Sequence, residues 1–233
     1  MTTPFLRAAW LAVPDAADAD AAVLAYAADV ADSPQAGVTA PYVLVPRTPV
    51  MRDITGRLEH MDVHRYDVLP THLLITEIET LAAGLAVEQQ LAPSGTPALT
   101  VVVHGLYREV DAVEGTLGPP LDGPAPAIQF GTFNMRSADD EWAVSQWYED
   151  RRLPSFSRIK GGHRARRLVS VCGGPAKLGV FYEFRSLEDR REHFEPLETV
   201  DHDRDRPTAA ARTIHPPMSP SVGALLPRGL RYP

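Results

Sequence analysis

The 233-residue chain carries eight histidines, and an imidazole is the side chain best suited to taking and returning a proton near neutral pH. His104 lies within the apolar run 101–106, so it belongs to an internal strand, either as a satisfied core histidine or as an acid/base group on a cavity wall. His72 sits in a second apolar run, 71–79, with the same two readings. His163 follows the Gly161-Gly162 pair and is the third acid/base candidate. His60 and His64 stand four apart, a spacing that suits a metal ion only on a helix, and Asp53, Gly56, Asp62 and Pro70 argue for a loop. That loop is a surface segment, a contact between copies, or a lid over a cavity, in which case His64 and Tyr66 meet the substrate. No metal is expected. His193 and His202 read as solvated.

A second group of chemically capable residues is Trp147, Tyr148 and Arg152, within the stretch 139–154. A guanidinium stays charged and cannot act as a base, but it can hold a carboxylate, phenolate or enolate oxygen. The Tyr148 hydroxyl beside it can donate to a developing oxyanion. Both aromatic rings also have the ordinary reading of helix packing. Gln129 and Asn134, in the run 128–135, are polar groups able to orient a substrate. Cys172 is the single cysteine, which excludes an intrachain disulfide and paired-cysteine metal sites. There is no glycine-rich phosphate loop, no Gly-x-Ser-x-Gly elbow and no dinucleotide fingerprint, so the expected chemistry uses no cofactor.

The elements that must carry these residues come in two passes. A strand (5–13), an alanine-rich helix (15–32), a strand (38–45), a long loop (46–68), a strand (71–79), a helix (81–91) and a strand (99–110) make the first. The second has a strand (128–135), a helix with Ser137 as its cap and Pro154 as its limit, strands at 163–171 and 177–184, a helix from Leu187 to about Thr199 behind Ser186, and a last strand in 208–226. Each pass reads strand, helix, strand, strand, helix, strand, the split β-α-β arrangement. The fold class is therefore α+β, two tandem ferredoxin-like repeats at 1–117 and 127–233, joined by a Pro/Gly linker at 118–126. Two such sheets bury their bare faces together, within one chain or by pairing two copies.

The net charge of −7 argues against a nucleic-acid partner, with the arginines 151–167 read as solvated charge. No apolar run approaches the roughly 18 residues that span a bilayer, and the N-terminus lacks the pattern of a signal peptide. The expected location is the cytoplasm.

Glu141-Trp142, Trp147-Tyr148, Leu153-Pro154, Gly161-Gly162, the Arg166-Arg167 strand, the run 181–184 and the segment 215–223 together resemble the dimeric α+β barrel superfamily, and within it the EthD-like and antibiotic-biosynthesis monooxygenase-like proteins. The likeness covers about 90 residues of the second half; the first half matches in element order only. It implies a pocket inside a barrel of two repeats and a cofactor-independent enzyme acting on a small aromatic or polyketide-like carbonyl compound by proton abstraction. A histidine would be the base, with Arg152 and Tyr148 holding the charge. Relatives place a histidine where this chain has Arg152, which sets aside any mechanism that needs it. The alternative is a barrel protein that binds or scaffolds without catalysis.

Overall fold

The computed structural model describes residues 4–13, 18–60, 66–90, 99–199 and 207–227. Eight strands close into one antiparallel barrel within the single chain: β1 (Phe5–Ala12), β2 (Thr39–Leu44), β4 (His72–Ile78), β5 (Thr100–Glu114), β6 (Ala127–Phe133), β7 (Gly162–Gly173), β8 (Leu178–Phe184) and β10 (Ser221–Leu225). Around the ring the order is β1-β4-β2-β10-β6-β8-β7-β5. Within each half the order is the same: fourth strand, first, third, second. The halves join edge to edge, β5 on β7 and β2 on β10.

Strand alternation sends successive side chains to opposite faces. Leu6, Ala8 and Trp10 of β1, Leu73 and Ile75 of β4, Tyr107 of β5, Ile128 and Phe130 of β6, and Phe181 of β8 point inward. They fill the barrel: Trp10 stacks on Phe130 at 5.4 Å between centroids, and Tyr107 and Phe181 meet the same ring edge-on at 5.5 Å. The expectation of a ligand space inside the barrel is therefore corrected, because four large aromatic side chains occupy it.

Helices cover the outer face of each half. In the first half α1 (Ala19–Ala31) and α3 (Leu81–Gln90) bury Val23, Ala27, Val30 and Val87 against Ala9, Leu11, Leu74 and Leu106. In the second, α4 (Ala138–Trp147) packs with Leu153 and Phe156 on Ala165, Val180, Tyr182 and Phe184. Ser137 accepts from the Asp140 N–H at 3.1 Å and so caps α4, as its position in the sequence suggests. The helical run does not stop before Pro154. It continues through a π-helical turn, Tyr148–Arg152, into α5 (Leu153–Phe156), with Pro154 inside the run. Gly161 then turns the chain in the left-handed region, φ 77°, into β7. Behind Ser186, α6 (Leu187–Asp189) passes into a π turn, Arg190–Phe194, and a 3-10 turn, Glu195–Glu198.

The segment read as a loop at 46–68 holds α2 (Pro49–Gly56), capped by Thr48, and a short strand β3 (Glu59–His60). β3 pairs in parallel with β9 (Ile214–His215), so this part of the first half lies against the second.

Candidate active site

A cleft opens between the outer face of β6 and β8 and the α4 layer, on the opposite side of the sheet from the barrel interior. Its empty space is about 810 Å3, counting the solvent-open mouth. Met51, Ile54 and Leu58 close it from the α2 side, Phe133, Val144, Trp147, Val180 and Leu197 form apolar walls, and polar groups stand at two places.

The first polar cluster is built on buried charge. Arg190 is 1% exposed, and its Nε and Nη2 both donate to Gln129 Oε1, at 2.9 and 2.6 Å. Its Nη1 donates to Glu195 Oε2 at 2.5 Å, and Glu195 also accepts from the Thr48 hydroxyl. Desolvation pulls the Arg190 guanidinium below its ordinary value, and the Glu195 carboxylate opposes this. With Oε1 of Gln129 occupied by Arg190, its amide nitrogen is the end that faces outward, and it donates to Glu198 Oε2 at 3.3 Å. Arg152 donates to the other oxygen of the same carboxylate, Glu198 Oε1. The guanidinium of Arg152 also lies 5.0 Å from the Phe194 ring, 5.9 Å from Tyr182 and 6.0 Å from Trp147, and its Nε faces the Tyr182 hydroxyl at 3.4 Å. The indole N–H of Trp147 is buried and has no hydrogen-bond partner among the described residues.

The second cluster is Thr213, His215 and Ser219. The Thr213 hydroxyl donates to the Ala210 carbonyl at 3.1 Å, so its oxygen accepts from His215 Nε2 at 2.8 Å. The other ring nitrogen, Nδ1, faces the Ser219 hydroxyl at 3.3 Å. Ser219 Oγ itself accepts from the Thr132 N–H at 2.8 Å. An imidazole whose two nitrogens are each held by a hydroxyl group has the fixed orientation that a proton acceptor needs.

Of the residues singled out in the sequence, Gln129, Trp147, Tyr148 and Arg152 line the cleft. Tyr148 stacks over Phe133 at 6.4 Å. Three histidines do not line it. His104 is on the helix-facing side of β5, largely exposed, and its Nδ1 lies 2.6 Å from Glu88, which also accepts from Arg7. His72 is buried beneath α1 with Nε2 3.1 Å from Asp20. His163 begins β7 beyond the cleft, and burial lowers its basicity, opposed by Glu114. Asn134 is a structural bridge: its carbonyl and N–H pair with Ile214, and its side chain accepts from the Lys177 N–H at 2.7 Å. Tyr66 packs against the cluster that fills the barrel, where burial raises its phenol above the usual range. His64 and His202 lie outside the described residues.

Sequence reasoning passed over His215, Arg190 and Glu198. His215 precedes a Pro-Pro pair and stands four residues before Ser219, so a titratable ring in a proline-held segment was the available signal. Arg190 and Glu195 are five apart, about 140° on an α-helix, and so read as solvated charge. The π winding brings such a pair onto one side.

No protein-family model matches the chain, and no curated protein matches it. Among solved structures it is similar to an anthrone oxidase-like protein (TM-score 0.57, 9% identity, covering 96% of this chain and 92% of the other). It is also similar to a protein named a chlorite dismutase (TM-score 0.59, 10% identity, 97% and 96% covered) and to a Fusobacterium nucleatum protein named a monooxygenase (TM-score 0.54, 9% identity, 96% and 92%). These likenesses run nearly end to end and, at such identity, show a shared α+β barrel fold alone. No helix among the described residues is long and apolar enough to cross a membrane.

Proposed function

We propose that the cleft is the active site of an enzyme that removes a proton next to a carbonyl of a small, largely aromatic compound. The observation that carries this reading is the pairing, in one apolar cleft, of a histidine held between two hydroxyl groups with a separate cationic group. His215 is the base. The substrate C–H proton passes to Ser219 Oγ as the Ser219 proton passes to His215 Nδ1, leaving an imidazolium and an enolate. The Tyr148 hydroxyl donates to the enolate oxygen, and Arg152 holds an acidic oxygen elsewhere on the substrate. The fate of the anion, protonation at another carbon, ring closure, loss of a leaving group or reaction with dioxygen, sets the product.

The matching strand order of the halves supports two ferredoxin-like repeats, 1–117 and 127–233, with the second supplying the sheet and α4 walls and the first supplying α2. The EthD-like resemblance and the anthrone oxidase-like neighbour both favour polycyclic aromatic carbonyl compounds, and they make an anthrone bearing acidic substituents the first compound to test. Incubation with such anthrones, followed by absorbance and dissolved oxygen, is expected to show turnover that His215→Ala abolishes while its melting temperature stays within a few degrees. His104→Ala is expected to keep full turnover. A His215→Ala protein as active as the parent overturns the assignment. The absorption spectrum and metal content of the purified protein check that no cofactor is needed.

A further inference from the structure

The donors around Glu198 form a site whose shape is that of a carboxylate. Gln129 cannot rotate its amide, because Arg190 supplies two hydrogen bonds to Oε1 and is itself pinned by Glu195. Its amide nitrogen is thus a fixed donor; Gln129 is 2% exposed. Arg152 is the second donor, held by three aromatic rings. The two donors take different oxygens of one carboxylate, Oε1 from Arg152 and Oε2 from Gln129. A phenolate or enolate would have to accept from both donors at one oxygen, whereas a carboxylate gives each donor its own. The Trp147 indole N–H, buried at the same wall, has no acceptor among the described residues. Arg190 is balanced by Glu195, and Arg152 by Glu198.

Glu198 is the residue least committed to the arrangement. It stands at the end of the 3-10 turn Glu195–Glu198, its side chain is 18% exposed, and it reaches the donors from the cleft side. We propose that Arg152 and Gln129 form a carboxylate-binding subsite that Glu198 fills when the cleft is empty, and that the substrate is an aromatic carboxylic acid whose carboxylate displaces Glu198. This rests on the reading of the cleft as a small-molecule site. It adds that the protein carries its own competitor: ligand binding costs the Arg152–Glu198 pair, so a compound lacking a second charged oxygen cannot open the site as well. The exchange is charge-conserving, one carboxylate for another, so it leaves no buried guanidinium without a counter-ion.

The test is binding of 2-naphthoate and of its neutral isostere 2-naphthamide, read by calorimetry and by Trp fluorescence. The parent protein is expected to prefer the acid by roughly tenfold or more, since hydrogen bonds to a charged group are the stronger kind. Glu198→Gln removes the competitor, and it is expected to tighten naphthoate by a similar factor while leaving naphthamide unchanged. Arg152→Gln is expected to erase the preference. Equal affinity for acid and amide in the parent, a comparison that needs no variant, overturns the proposal. So does a Glu198→Gln protein that is folded by circular dichroism and binds naphthoate more weakly. If neither compound binds the parent or Glu198→Gln, the small-molecule reading of the cleft falls, and this inference with it.

Discussion

Arg190 does not itself line the cleft, yet the cleft's polar wall depends on it. It fixes the Gln129 amide from behind and neutralises Glu195, which is 4% exposed. Replacing it with methionine of similar length keeps the packing volume but leaves the Glu195 carboxylate buried with, among the described residues, the Thr48 hydroxyl as its remaining side-chain donor. Breaking a buried pair from one side costs about 3–5 kcal/mol, more than the pair contributes in net terms, because the remaining charge has lost its hydration without compensation. Arg190→Met is therefore expected to lower the unfolding free energy by roughly that amount in urea titrations. A loss under about 1 kcal/mol would mean that Glu195 turns out to solvent, as exposed pairs allow. The double variant Arg190→Met with Glu195→Gln is expected to recover part of the loss.

At the level of elements, what local chemistry dictates was legible and what winding decides was not. Ser137 and Ser186 stand before acidic first turns, and both cap as their sequence context indicates, each accepting the N–H three residues on. Their strands follow from apolar runs. Strand alternation placed residues on faces but not on the inside or the outside of the ring, because both faces are buried, one by the opposing sheet and one by helices. His104 and His72 fell on the helix side for that reason. The π turns at Tyr148–Arg152 and Arg190–Phe194 have no signature in a 3.6-residue reading, and they are what bring Arg152 and Arg190 to the cleft. The Leu-Pro pair marked the first of them as a helix end, when it marks a change of winding. The cap can be separated from the site by measurement. Ser137→Ala is expected to cost about 1 kcal/mol of stability, the usual value of an N-cap hydrogen bond. Because Ser137 lies more than two turns from Arg152, the acid-over-amide preference is expected to stay as in the parent. A shift in that preference would show that α4 transmits fraying at its start to the cleft.

Taken whole, the molecule spends its barrel interior on packing and one polar network, and keeps its open space between layers. Beyond the aromatic fill, Glu77, Glu183, Glu109, Arg164 and Arg166 face one another inside the ring. Glu114 joins from the rim through Arg164, and the Tyr42 phenol, pushed upward mainly by burial, senses both Glu183 and Glu77. Among the described residues three inner carboxyls meet two guanidiniums, and burial works against the charged form of the carboxyls. Desolvation raises Glu183 above the usual carboxylate range against the pull of Arg166, and desolvation raises Glu109 likewise against Arg164. A carboxyl that titrates higher in the folded state binds a proton there after the unfolded chain has released its own, at about pH 4.3. Across the window from that value up to the raised folded one, the folded state holds more protons, so its stability falls as the pH rises. Glu183→Gln keeps the shape and removes the titration. Urea midpoints measured upward from about pH 4.3 are expected to decline less in Glu183→Gln than in the parent, the two curves separating with rising pH. Parallel curves would place the retained proton on Glu109 instead, and Glu109→Gln would then be the variant whose curve is flat.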